Sequence, residues 1–193
     1  MKRRIRGTDF GVAIAVVLAA MVTLSPVHAA TLAGVEMPDQ TTVNGKTLVL
    51  NGLGVRTATV LKVKVYVIGL YLESKSSDAK AIIESDQAKR IEMHFVHSVT
   101  AEELRDGWSE GFESNYKDVA SIKGEISKFN ASMRDVKSGD TIVLDFSGDT
   151  LNVLINDSKI DSIKGSAFQQ AALGIWLGPK PPNKELKAGI LGG

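Results

Sequence analysis

Thr59-Val60-Leu61-Lys62-Val63-Lys64-Val65-Tyr66-Val67-Ile68-Gly69-Leu70-Tyr71-Leu72 is the most β-like stretch of the chain. Val63, Val65 and Val67 alternate with Lys62, Lys64 and Tyr66, the two-residue period of a strand with one apolar and one polar face. The stretch predicts a long central strand, and its neighbours on both sides predict a sheet around it. Upstream, Val43-Asn44-Gly45-Lys46 holds an Asn-Gly pair, a strong signal for a tight hairpin turn. Thr47 to Leu50 then reads as the return strand. Asn51-Gly52-Leu53-Gly54 places two glycines close together, which predicts a bulge or sharp bend before Val55 and Arg56. The segment from Leu32 to Thr42 shows no period and reads as irregular.

Downstream, Ser77 to Asp86 brings Ala79, Ile82 and Ile83 onto one helical face, and Arg90 to His97 returns to strand alternation with Ile91, Met93 and Phe95. Thr100-Ala101-Glu102-Glu103 is a capping box, in which hydroxyl and carboxylate satisfy backbone donors reciprocally, so a helix is predicted from Ala101. Leu104, Trp108 and Phe112 recur every four residues and set its buried face, shared with Gly107, Gly111 and Asn115. Each interior glycine costs a helix about 1 kcal/mol relative to alanine. Either close packing against the sheet or room for a ligand would account for them.

A second helix is predicted from about Lys117 to Met133, interrupted at Gly124. Ser138-Gly139-Asp140 then turns the chain into a strand from Thr141 to Phe146. Leu151 to Ile155 and Lys159 to Ile163 flank Asn156-Asp157-Ser158 as a second hairpin. Ala167, Phe168, Ala171, Ala172, Ile175 and Trp176 define a buried helix that Pro179, Pro181 and Pro182 end, and a short helix near Asn183 to Leu191 closes the chain. Strands, a helix pair, a hairpin and further helix in that order predict an α+β domain, with helices packed on one face of an antiparallel sheet.

At the N-terminus, Lys2, Arg3, Arg4 and Arg6 precede an apolar run from Phe10 to about Leu24. Ser25-Pro26 and Val27-His28-Ala29 follow, as expected of a secretory leader and its processing site. Residues 1–29 are expected to be a signal peptide cleaved after Ala29, with Ala30 the neighbouring site, and residues 30–193 one periplasmic domain. The run is shorter than the roughly 20 residues of a membrane span, and no later segment approaches that length, so no stable membrane insertion is expected after cleavage. The whole chain carries 23 basic and 22 acidic residues; the leader takes four basic residues and Asp9, leaving the mature domain 19 and 21. That balance argues against a nucleic-acid partner, which calls for a basic face.

The chain has no cysteine, which removes thiol chemistry and disulfides. His94 and His97, the histidines left after the leader, have no metal-ligand spacing on a helix. The phosphate-binding fingerprints and the serine-nucleophile elbow are absent. No metal or cofactor is expected.

Leu53-Gly54-Val55-Arg56-Thr57 followed by Lys64-Val65-Tyr66-Val67-Ile68-Gly69-Leu70-Tyr71-Leu72 resembles the best-kept stretch of the chalcone isomerase-like family, in which a Gly-x-Arg segment precedes a strand ending in a V-Y-x-x-G-x-Y pattern. The Thr100 helix with Leu104-Arg105-Asp106-Gly107-Trp108, and Ile175-Trp176-Leu177-Gly178 before the prolines, resemble the family's exported bacterial branch. The resemblance implies an open-faced β-sandwich with a cleft between sheet and helices. It also implies a site. The plant isomerases use an arginine, a strand threonine, and a tyrosine and asparagine on the following helix; here Arg56 matches the arginine, Tyr66 stands at the threonine position, and the helix positions fall near Leu104 and Gly111, which lack side-chain donors. The fatty-acid-binding relatives pair the arginine with a tyrosine at the position of Tyr66. A guanidinium fork and a phenol suit a carboxylate.

Arg56, Tyr66, Leu104, Trp108, Gly111 and Phe112 are thus the candidate ligand-binding residues, with no catalytic residue nominated and a small apolar carboxylate as the expected partner. Three readings stand at this point: a binding module for a fatty acid or similar carboxylate, an isomerase or lyase using Arg56 and Tyr66, and an interaction protein with a vestigial cleft. The volume beneath Arg56 separates them.

Overall fold

The computed structural model describes residues 29–193. The expected leader lies outside the described residues except for Ala29, which opens the first strand. β1 (Ala29–Leu32) and β2 (Val35–Pro38) form a separate two-stranded hairpin. β3 (Gln40–Val43), β4 (Lys46–Ala58), β5 (Val63–Leu72), β6 (Lys89–Phe95), β7 (Thr141–Ser147), β8 (Thr150–Ile155) and β9 (Ser158–Lys164) form a seven-stranded sheet in sequence order. Every pairing in that curled sheet is antiparallel. α1 (Ala79–Glu84) joins β5 to β6, α2 (Ala101–Asn115) and α3 (Lys123–Ala131) join β6 to β7, and α4 (Ser166–Leu177) and α5 (Lys184–Ile190) close the chain.

The turns form where the sequence places them. Asn44 and Gly45 take positive φ of 48° and 77° between β3 and β4, and Asn156 and Asp157 take 49° and 62° between β8 and β9. These are the left-handed pairs that match the twist of a tight hairpin. α2 begins on the capping box, with both reciprocal bonds between Thr100 and Glu103 formed. Leu104, Trp108 and Phe112 are buried beneath it. α4 is buried at nine of its twelve positions and serves as the central core helix, as an element apolar all round must. Ile68, Leu70 and Leu72 of β5 meet it in the main core with Ile91, Met93 and Phe95 of β6.

Four elements depart from the sequence reading. The segment from Leu32 to Thr42 is not irregular: it holds the last residue of β1, the turn at Ala33-Gly34, all of β2 and most of β3, strands too short and too polar to show a period. The return strand does not stop at Leu50 but runs on to Ala58, with Asn51 the extra residue of a bulge and Gly52 and Gly54 paired regularly with Leu70 and Ile68. The strand expected from Thr59 begins at Val63, because Thr59 to Lys62 form its turn. Tyr66 is buried in the main core rather than lying on a polar face. The cause is a second register shift: Arg56 pairs with Tyr66 but Thr57 pairs with Lys64, so Val65 is an extra residue and the alternation slips by one there. The helix expected from Lys117 to Met133 is a 3-10 turn at Val119–Ile122 followed by α3.

The glycines of β4 have their reason in packing rather than in the bulge. A Cβ on Gly52 would collide with the carbonyl of Gly189, and one on Gly54 would lie 2.6 Å from the carbonyl of Leu186. Their absence of side chains lets α5 lie directly on the strand backbone. Asn51, buried beside them, donates to Ile190 O at 2.8 Å and Ser76 O at 3.0 Å and accepts from Ser76 N at 2.8 Å. The C-terminal end of α5 is thereby fixed over β4 at Asn51, and its start at Asn183 lies beside Arg56.

Candidate ligand-binding site

The bulge at Val65 and the seating of α5 together shape a cavity of about 610 Å³ between the β4–β5 end of the sheet, α2, and the connection from α4 to α5. Its size falls within the roughly 300–1,000 Å³ of small-molecule sites. Val65, Phe95, Val99, Leu104, Trp108 and Ile175 supply apolar wall, while Arg56 and Tyr66 contribute polar atoms from the strands. Among the expected residues, Arg56, Tyr66, Leu104, Trp108 and Gly111 line this space. Phe112 does not. It points into the core, with its ring 6.0 Å from Phe129 and 5.6 Å from Phe168, because a fourfold helical spacing drifts around the axis, away from the face through Gly107, Gly111 and Ser114 that borders the cavity.

Arg56 and Tyr66 are direct cross-strand partners, so their side chains leave the same face of the sheet. Nη1 of Arg56 donates to the carbonyl of Thr57 and, at 3.3 Å, to Asn183 Oδ1; the carbonyl of Pro182 lies 3.5 Å away. Asn183 is itself anchored, accepting from Thr57 N at 2.9 Å and donating to Thr57 Oγ1 at 3.2 Å. One edge of the guanidinium is therefore held by protein, while Nε and Nη2 have no protein partner among the described residues. That free edge is the two-donor fork a carboxylate fits.

Tyr66 is only 6 % exposed, and its hydroxyl oxygen accepts from Trp176 Nε1 at 3.0 Å. An indole N–H can only donate, so the phenol's own proton is not used in that bond. Burial pushes the Tyr66 pKa up, against smaller opposing effects from the Trp176 bond and the Arg56 charge. Tyr66 thus remains a neutral donor at ordinary pH and is poorly suited to act as a base. Phe95 packs edge-on against its ring at 5.4 Å, fixing its direction.

The two helix glycines divide between the two expected roles. A Cβ on Gly111 would lie 2.9 Å from Ile175 Cγ2, so this position allows close packing, against α4 rather than against the sheet. Gly107 has open space around its Cα and leaves room in the cavity.

Sequence reasoning missed the polar rim: His97, Ser98, Glu103, Glu110, Ser114 and Lys180 also border the cavity. It also missed the Asn183 clamp and treated Trp176 as core alone. Asn115 offered a signal, since it follows the glycines on the same helical face; it donates to Lys180 O and accepts from Lys180 N, tying the proline-rich connection to α2. No cluster of three metal-ligating side chains occurs among the described residues.

A family model described as chalcone isomerase-like matches residues 29–192. No curated protein matches the chain. Among solved structures, a fatty-acid binding protein of Arabidopsis thaliana is similar over 85 % of this chain and 96 % of its own, with a TM-score of 0.70 and 14 % identity. The curled antiparallel sheet with helices packed on it is thus a shared fold, and with the family match spanning the described domain the chain belongs to the chalcone isomerase-like family.

Proposed function

We propose that this protein binds a fatty acid or similar apolar carboxylate, without chemical conversion, in the cavity beneath α2, and that it does so in the periplasm after loss of its leader. The observation that carries the reading is the pair of strand neighbours at the apolar cavity: an arginine with one edge clamped and one edge free, beside a phenol that burial keeps protonated. Two donors converging on one side of an apolar space match an amphiphile with a single anionic end. The resemblance in fold to a plant fatty-acid binding protein supports the same reading.

Catalysis is less well served. Leu104 and Gly111 bring no donor to the cavity, and a tyrosine with a raised pKa does not withdraw protons at neutral pH. Native mass spectrometry of the exported protein tests the proposal: wild type is expected to carry a mass increment matching a carboxylic acid, and Arg56→Ala to have lost it. An increment of equal occupancy in both proteins would refute the assignment.

A further inference from the structure

The turn between β4 and β5 differs from the other tight turns of the fold. Asn44-Gly45 and Asn156-Asp157 carry the polar or glycine residues that left-handed turn positions favour. The β4–β5 turn instead places Val60 and Leu61 at its two central positions, closed by a bond from Lys62 N to Thr59 O at 3.1 Å, with Thr59 and Lys62 at positive φ of 63° and 52°. Val60 is 97 % exposed and Leu61 83 %; with Val63 at 37 % they are the exposed large hydrophobic residues of the described chain. Folding supplies no reason for two fully solvated aliphatic side chains at a tip. Val63, Ala58 and Thr59 also border the cavity, so the tip stands at its mouth.

The charge around the tip has one sign. From Arg56 to Tyr66 the strand ends and their turn contain Arg56, Lys62 and Lys64 and no acidic residue; Lys46, at the far end of β4, is paired with Glu73 at 2.8 Å. Glu103 and Glu110 also border the cavity, but from α2, across from this hairpin. Two aliphatic side chains fall far short of the roughly 800 Å² per partner of a stable protein interface. They suit shallow insertion among lipid headgroups, with lysines beside them meeting anionic lipid.

We propose that the Val60-Leu61 tip docks reversibly on an anionic lipid bilayer and so holds the cavity mouth against the membrane surface, where an apolar ligand enters or leaves without crossing water. The docking stands on the tip itself; its use for ligand exchange rests on the carboxylate reading above.

The test compares exported wild-type protein with the double variant Val60→Ser/Leu61→Ser. Both changes lie in solvent and leave the core and the cavity donors intact, and the two proteins share the rest of the chain, so only their difference counts. Wild type is expected to co-sediment with phosphatidylethanolamine vesicles containing phosphatidylglycerol, less with phosphatidylcholine alone, and less as salt rises. The variant is expected to bind the anionic vesicles at least about tenfold more weakly. With a fluorescent fatty acid loaded into the vesicles, transfer to wild type should accelerate with vesicle concentration and transfer to the variant should not, while both take up the same fatty acid equally from free solution.

Equal vesicle binding by both proteins, or by neither, overturns the docking. So does a change from dimer to monomer on substitution without vesicle binding, which would make the tip a contact between copies. Vesicle binding lost in the variant while neither protein takes up fatty acid supports docking and refutes the carboxylate reading instead.

Discussion

Arg56 and Tyr66 act as one device, and the prediction belongs to the pair. A hydrogen bond to a charged group is worth about 1.5–3 kcal/mol, so Arg56→Ala should weaken carboxylate binding at least about tenfold. Tyr66→Phe removes one hydroxyl and should cost less. Because both donors serve one anion, the double variant should lose less than the two singles combined, as a double-mutant cycle by titration calorimetry would measure; full additivity would place them on separate ligands. Tyr66 has a second consequence. Its pKa lies above the ordinary 10.0 in the folded protein, as does that of Tyr71, both chiefly through burial. Above about pH 10 the unfolded chain therefore releases these protons while the folded chain retains them, and stability should fall as pH rises through that range. Denaturant midpoints that stay level from pH 9 to pH 11 would contradict this. The residues legible in the sequence were those in a local pattern, Arg56 after its glycine and Tyr66 in its strand. Their anchors were not. Asn183 and Trp176 lie more than a hundred residues away in the chain, and no local period announces a partner at that separation.

Among elements, the hairpins with Asn-Gly and Asn-Asp turns, the capped α2 and the apolar α4 were readable because each carries its own chemistry at fixed spacing. β1 and β2 were not, since four residues hold too few alternations, and the parity of β5 was misread because a one-residue bulge leaves no mark in composition. The glycines offer a direct check on the packing. Gly107→Ala adds a methyl into open space in a helix interior and should stabilise the protein by about 0.5–1 kcal/mol. Gly111→Ala pushes against Ile175 and should destabilise it, by about 1–3 kcal/mol where the core cannot yield. Gly54→Ala meets the backbone of α5, which cannot rotate away, and should cost at least as much as Gly111→Ala. Chemical denaturation of the three variants decides the order, and equal midpoints for Gly107→Ala and Gly111→Ala would show that α2 does not lie on α4 as described.

For the whole molecule, the α+β class and the layer arrangement followed from element order, while the cavity did not, since it arises only where the Val65 bulge, α2 and the α4–α5 connection meet. Export is a further expectation at this scale. The mature protein should begin at Ala30 or Thr31 in the periplasm, and N-terminal sequencing that returned Met1 would contradict it. Incubation with a chalcone should yield flavanone only at the spontaneous rate and without enantiomeric excess. The most direct test of the central claim is calorimetric titration of a long-chain fatty acid and its methyl ester into wild type and Arg56→Ala. The acid should bind wild type and bind Arg56→Ala at least about tenfold more weakly, while the ester should bind both weakly and alike. Equal affinity of the acid for the two proteins, or of acid and ester for wild type, would contradict a carboxylate site at Arg56.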